Sequence, residues 1–197
     1  MDIFPDATMR FASSIHFRWP LALLLLVLGG SCGRQFWQDH FAKGGLTRVY
    51  IVRHAEKDPT PGLADPPLTP AGQRRALELR DSLRHSTMLA AIFSTNTTRT
   101  RTTAQPLADR LKLPVQPYDA RQLAALAARV RREYRGRTVL IVGHSNTILE
   151  TVEAFGAARP LPRIGDRDYD YLLKVTIPRD STQAATAVAR RYGGGGR

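Results

Sequence analysis

Two histidines and a group of arginines pose the first chemical question. Arg53 and His54 are adjacent and close an apolar run, while His144 follows Gly143 at the end of another, ninety residues further on. Arg99 and Arg101 come shortly after a third such run, which ends at Ser94. A neutral imidazole is a competent nucleophile near pH 7, because its unperturbed pKa is about 6.5. A guanidinium is planar, forked and always charged, so it can grip a tetrahedral oxyanion through paired donors. Two imidazoles and several guanidiniums brought to one place would suit a phosphate ester. The dipeptide Arg53-His54 means little alone; its meaning depends on a fold in which these run ends meet.

Leu46 to Val52 (LTRVYIV), Ala90 to Phe93 and Thr138 to Val142 (TVLIV) are short and apolar, and read as buried strands. Val115 to Tyr118 is a further short strand. Helical patterns lie between them. Thr69-Pro70 opens the first with a capping side chain followed by proline at the first helical position, and Ala76, Leu79 and Leu83 give it an inward face. The second runs from about Arg99 to Leu111, where Pro106 is expected to cause a bend. In the third, Leu123, Leu126, Ala127, Val130 and Tyr134 share a stripe, and Arg121, Arg129, Arg131, Arg132 and Arg135 mostly form its wet side. Thr147-Ile148-Leu149-Glu150 fits a capping box, and Ile148, Val152 and Phe155 continue at helical spacing up to Gly156. Tyr169, Tyr171, Leu173, Val175 and Ile177 alternate as a half-exposed strand does, and residues 185–192 can pair as one more. Strands alternating with helices predict an α/β fold, a three-layer sandwich with a mostly parallel central sheet flanked by helices. In such folds ligands sit beyond the carboxyl ends of the strands, which is where Arg53-His54 and His144 fall.

Four segments add a resemblance to a known family. They are V-R-H-A-E-K (52–57), P-L-T-P-A-G-Q-R-R-A (67–76), F-S-T-N-T-T-R-T-R-T-T-A (93–104) and V-G-H-S-N-T (142–147). Together, in this order, the chain resembles the phosphoglycerate mutase-like members of the histidine phosphatase superfamily, branch 1 type. The resemblance implies His54 as the nucleophile that takes a phosphoryl group, Arg53 and Arg99 as phosphate-binding arginines, and His144 as the second histidine. Attack on phosphorus redistributes charge over the equatorial oxygens, which Arg53, Arg99 and a protonated His144 would stabilise. Water then cleaves the phosphohistidine, making the route a double displacement, and no metal ion or other cofactor is called for. Asn146 either donates to the phosphate or caps the following helix, and Arg101 reads as surface. The family commonly places a glutamate downstream of the second arginine to protonate the leaving alcohol. The corresponding stretch here reads Gln122-Leu123-Ala124, so the general acid is expected at Asp119, ahead of Glu56, with Asp65 third.

With 197 residues, 43% of them hydrophobic, the chain suffices for one core and is short for two. Its net charge is +12, and residues 1–31 contribute nothing to it: Arg10 and Arg18 balance Asp2 and Asp6. Such a balance favours anionic partners. Nucleic acid is not expected, because the arginines are dispersed along amphipathic segments without interleaved aromatics. The expected partner is a small anionic phosphorylated substrate, with a cell-envelope phosphosugar as one instance.

Arg10 and Arg18 precede the apolar run Trp19 to Leu28 (WPLALLLLVL), which is followed by Gly29, Gly30, Ser31 and Cys32. A positive region, an apolar stretch and small residues make up a secretory signal peptide. The run is shorter than the roughly 20 apolar residues that span a bilayer. Met9 is an alternative start to Met1. The stretch LGGSCG around Cys32 resembles a bacterial lipoprotein cleavage site, with Gly29 standing where leucine is usual. Residues 1–31 are therefore read as a signal peptide, 44–192 as the histidine phosphatase domain and 193–197 as a Gly-rich tail. Cys32 is the lipidated mature amino terminus, an ordinary residue near the cleavage site, or a residue behind an uncleaved anchor, and the protein is expected in the periplasm or tethered to the membrane. As the only cysteine it forms no intrachain disulfide.

The expected function is an exported, metal-independent phosphomonoester phosphatase acting through His54. Its alternatives are a non-catalytic phosphate- or phosphosugar-binding envelope lipoprotein and a phosphomutase of the same superfamily. A serine hydrolase built on Ser145 would need glycine at position 147, where Thr147 stands.

Overall fold

The computed structural model describes residues 45–83 and 89–193. The expected signal peptide, Cys32 and residues 194–197 of the expected tail lie outside them. Among the described residues the strands are β1 (Thr47–Arg53), β2 (Leu89–Ser94), β3 (Val115–Pro117), β4 (Thr138–Gly143), β5 (Tyr171–Ile177) and β6 (Thr186–Arg191). The helices are α1 (Pro70–Leu83), α2 (Thr98–Leu111), α3 (Leu123–Glu133) and α4 (Ile148–Ala154). One sheet contains all six strands in the order β3-β2-β4-β1-β5-β6. β3, β2, β4 and β1 run parallel, whereas β5 and β6 add on antiparallel beside β1. No helix among the described residues is long and apolar enough to cross a membrane.

The pleat explains the layers. Successive side chains on a strand face opposite ways, and here both ways lead to a core. Val49, Ile51, Phe93, Val139 and Ile141 pack with Leu126, Val130, Ile148, Val152 and Phe155, so α3 and α4 cover one face. Val52, Ile92, Leu140 and Val142 pack with Leu79, Leu83, Ala104 and Leu107, so α1 and α2 cover the other. β4, flanked by parallel strands on both sides, is buried along its whole length. Continuous apolar runs such as TVLIV, without alternation, are what a strand covered on both faces requires.

Local chemistry sets the helix ends. Thr69 Oγ1 accepts a hydrogen bond from the Gly72 amide at 3.1 Å, with Pro70 opening α1. Such a cap is worth about 1 kcal/mol. Gly72 itself sits against the loop after β1, where a Cβ would fall 2.2 Å from the carbonyl oxygen of Glu56. A side chain there would push the helix off the segment that follows His54. α2 continues unbroken through Pro106. At α4 the capping-box expectation fails: Thr147 makes no side-chain bond to the helix amides, and its Oγ1 instead accepts from the His144 amide at 3.2 Å. Its hydroxyl is engaged in the turn that carries His144. The same helix stops just before Gly156, as expected, and that glycine lies in the left-handed region at φ 74°, with the amides of Gly156 and Ala157 returning to the carbonyls of Glu153 and Val152.

Candidate active site

Parallel pairing is what brings the distant residues together. Arg53 lies opposite Gly143 and Ser94 lies opposite Val142, so β1, β4 and β2 end level with one another. The amide of His54 reaches the carbonyl of Gly143 at 2.9 Å and that of Thr95 reaches Val142 at 3.4 Å. His54, His144 and Thr95 therefore leave three neighbouring strands at one level. The rings of His54 and His144 stand edge to face, with centroids 5.5 Å apart.

The His54 ring has a defined tautomer. Its Nδ1 lies 2.7 Å from the carbonyl oxygen of Ala55, which can only accept, so Nδ1 carries the hydrogen and Nε2 keeps its lone pair. The peptide that holds the ring is itself held. The Ala55 amide donates to Thr103 Oγ1 at 2.9 Å, and Thr103 donates to the carbonyl of Arg99 at 2.7 Å. One threonine thus ties the segment carrying His54 to the helix carrying Arg99. Burial first, then the charges of Arg53, His144 and Arg99, lower the His54 pKa to about 3, against a raising effect of the Ala55 carbonyl. The ring is neutral at pH 7 and available for attack.

Arg53 is nearly buried, and its placement comes from a loop no motif pointed to. Its Nη1 donates to the carbonyls of Gly165 and Asp166 at 3.0 and 2.9 Å, and the ring of Tyr169 lies 4.2 Å from the guanidinium carbon. Tyr169 was expected in a strand, but β5 begins at Tyr171, and the loop position lets the ring stack on the cation. Arg99 is oriented by Asp65, which accepts from the Thr98 amide, the Thr98 hydroxyl and Arg99 Nη1. The Thr98 hydroxyl, then its amide, with a smaller effect of Arg99, hold the Asp65 carboxyl below the usual range. Arg53 Nε and Arg99 Nε are buried donors without a protein partner. Buried charged donors are normally satisfied, so this pair suits an oxyanion.

Arg53, His54, Lys57, Arg99, His144 and Asn146, with Ser145, line a cleft of about 440 Å³. Lys57 had not been singled out, although it stands in the R-H-A-E-K segment. Asn146 precedes the cap residue Thr147 and lines the cleft, so of its two expected roles the capping one is not used. Arg101 is exposed and bonds Asn96.

His144 departs from expectation in its charge. Burial, then Arg99 and Arg53, lower its pKa to about 4, so in the free protein it is neutral rather than protonated. The arginines that would share a phosphate with it repel its proton until an anion arrives.

The two carboxylates expected as the general acid are both engaged elsewhere. Asp119 lines a neighbouring hollow of about 480 Å³ with Thr95, Tyr118 and His144, yet its carboxylate takes hydrogen bonds from the Arg121 side chain at 3.0 Å and the Arg121 amide at 2.9 Å. These bonds hold its carboxyl below the usual range, the wrong direction for an acid at pH 7. Glu56 is paired with Arg75 of α1 at 2.7 Å and is not among the residues lining the cleft. Asp65 is occupied at the start of α2, as described.

A neutral histidine at a strand end, two guanidiniums and a second histidine line one cleft of an α/β fold, a set whose chemistry suits a tetrahedral oxyanion. Residues 49–120 match the model of the histidine phosphatase superfamily (branch 1), and over that stretch the chain is similar to members of that superfamily. No curated protein matches the chain significantly in sequence. The fold is similar to that of the mycobacterial glucosyl-3-phosphoglycerate phosphatase, with 15% identity, a TM-score of 0.57, and 75% of this chain and 98% of the other covered. It is similar also to the protein histidine phosphatase SixA complexed with tungstate (18% identity, TM-score 0.58, 73% and 96% covered). A third is the phosphoserine phosphatase of Entamoeba histolytica in complex with 3-phosphoglyceric acid (15% identity, TM-score 0.53, 75% and 96% covered).

Proposed function

We propose that this chain is an exported phosphomonoester phosphatase that works through a phosphohistidine on His54. The observation that carries the reading is the His54 Nδ1 contact with the Ala55 carbonyl, which leaves Nε2 as a free nucleophile beside two unpartnered arginine donors.

Nε2 attacks phosphorus and the bond from phosphorus to the ester oxygen breaks. The positive charge that develops on the ring is stabilised by the Nδ1–H bond to Ala55. Arg53, Arg99 and His144 take the negative charge on the transferred oxygens, which is the electrostatic part of phosphoryl-transfer catalysis. Water then attacks the phosphohistidine, the P–N bond breaks, inorganic phosphate leaves and the neutral ring is restored. These side chains supply the cationic charge, so the reading asks for no metal ion. The leaving alcohol is directed to the hollow beside His144, where it takes its proton from solvent or a solvent-exposed group.

The substrates in the names of the similar structures, a glucosyl phosphoglycerate, a protein phosphohistidine and phosphoserine, mark the range to test. Small phosphorylated molecules come first, an envelope phosphosugar among them, since the amino-terminal signal pattern directs the chain to the periplasm or, through a lipidated Cys32, to the membrane. The purified mature chain should hydrolyse members of a phosphomonoester panel, and His54→Ala should abolish this while still binding tungstate. Tungstate binding by the wild type without turnover of any ester would leave the non-catalytic binder in its place.

A further inference from the structure

The run Thr95-Asn96-Thr97-Thr98 with Thr100 does more than start a helix. Thr95 Oγ1 lies 2.9 Å from His144 Nε2 and 3.0 Å from Thr100 Oγ1. Both threonines are buried. Thr100 has its own acceptors in the carbonyls of Thr95 and Thr97, at 2.8 and 3.0 Å, so its oxygen keeps two lone pairs, one facing the Thr97 hydroxyl at 2.8 Å and one able to accept from Thr95. The Thr95 hydroxyl therefore has two places to put its hydrogen. Turned to His144, it donates to a bare Nε2 and fixes the neutral ring with its hydrogen on Nδ1. Turned to Thr100, it presents a lone pair and accepts from Nε2–H of a charged ring. Each arrangement satisfies His144 Nε2 and both threonine hydroxyls, which a fixed donor such as a backbone amide or a lysine could not do.

We propose that Thr95 is a positioning residue whose hydroxyl, turning between His144 Nε2 and Thr100 Oγ1, lets His144 be neutral in the free protein and cationic once a tetrahedral oxyanion is bound. The proposal rests on the phosphatase reading for its ligand, and it concerns an orienting group rather than one that touches the phosphoryl group. The groups facing His144 make the change one of charge balance. Arg53 from the end of β1, Arg99 from α2 and the His54 ring stand on the cleft side, and Tyr118 and Asp119 line the hollow on the other, where Asp119 is held by Arg121. A bound dianion offsets the two arginines and makes a proton on His144 favourable, which is the direction opposite to its lowered pKa in the free protein. Nε2–H would then need a buried acceptor, and Thr95 is the group in reach.

Tungstate is a suitable probe, since it is a tetrahedral dianion that carries no proton of its own near neutrality. The measurement is the ¹⁵N spectrum of histidine-labelled protein at pH 7 with and without tungstate, His144 being assigned by the signal lost in His144→Asn. In the wild type His144 should be the neutral Nδ1–H tautomer when free and an imidazolium when tungstate is bound. Thr95→Val should leave the ring neutral in the presence of tungstate and weaken binding about tenfold, the scale of one lost hydrogen bond to a charged group. Thr95→Ser, which keeps the hydroxyl, should stay within about twofold of wild type and restore the imidazolium signal. If Thr95→Val does not fold, Thr100→Val removes the second partner and should give the same loss. A His144 that stays neutral with tungstate bound in the wild type would overturn the proposal, as would a folded Thr95→Val with unchanged spectrum and affinity. None of these readings requires turnover, so a chain that gives them but hydrolyses no ester would refute the phosphatase reading and leave the threonine relay standing.

Discussion

The ends of β1 and β3 deliver polar residues to the same side of one sheet, yet they deliver them into different physics. β1 lies inside the sheet, so His54 emerges between β4 and the loop that holds Arg53, is nearly buried, and is fixed through Ala55 and Thr103. β3 is the edge strand, so Asp119 emerges into water, where the neighbouring Arg121 takes its carboxylate. A strand end supplies a reactive group only where flanking strands desolvate it and other elements fix its partners. A titratable residue at an edge becomes instead a surface ion pair, as Asp119 does, worth little to stability and tuned away from acid chemistry.

The strongest way to break this contrast is to remove a fixed cation. Arg99→Ala should reduce single-turnover phosphorylation by about 10² to 10³ for aryl and alkyl phosphates alike, because in the proposed mechanism the guanidinium holds the phosphoryl group whichever alcohol leaves. Sparing of one substrate class would move Arg99 from the phosphoryl group to the leaving group. The pH profile is the next test. His54 must be neutral to attack, and its pKa of about 3 keeps it so far below pH 6.5. The acid limb of kcat/KM, corrected for substrate ionisation, should therefore lie below about pH 5, since kcat/KM reports the groups of the free protein. An ordinary histidine would be only about 3% neutral at pH 5, so a limb near 6.5 would mean that His54 is solvated. The smallest effect belongs to the edge. Asp119→Asn should change alkyl phosphate turnover by less than about twofold, against the factor of about 10² or more that a positioned acid contributes. A selective loss on alkyl phosphates would restore Asp119 as the acid.

Much of the fold and of the cleft is legible in the sequence. Apolar runs buried on both faces and the 3.6-residue stripes of the helices predict the layers, and the motif segments hold all seven residues that line the cleft. The antiparallel pairing of β5 was not legible, because alternation along a strand does not reveal the direction of its neighbour. Thr95 and Thr103 were hidden in a threonine-rich run, since a hydroxyl acquires its meaning only when β2 pairs with β4 and sets Thr95 beside a histidine 49 positions away. Tyr169 is in phase with Tyr171 and Leu173, so alternation alone does not separate its loop position from β5. Asp119 looked suitable by type and place; its bonds to Arg121 and its seat at the sheet edge could be read only from the fold.

The proposed phosphohistidine mechanism is tested most directly by where the phosphoryl group goes. Wild-type protein mixed with a labelled good substrate and quenched with alkali in the pre-steady state should carry the label in an acid-labile, base-stable bond that peptide mapping places on His54. Label on Ser145, or none when phosphorylation outruns hydrolysis, would contradict it.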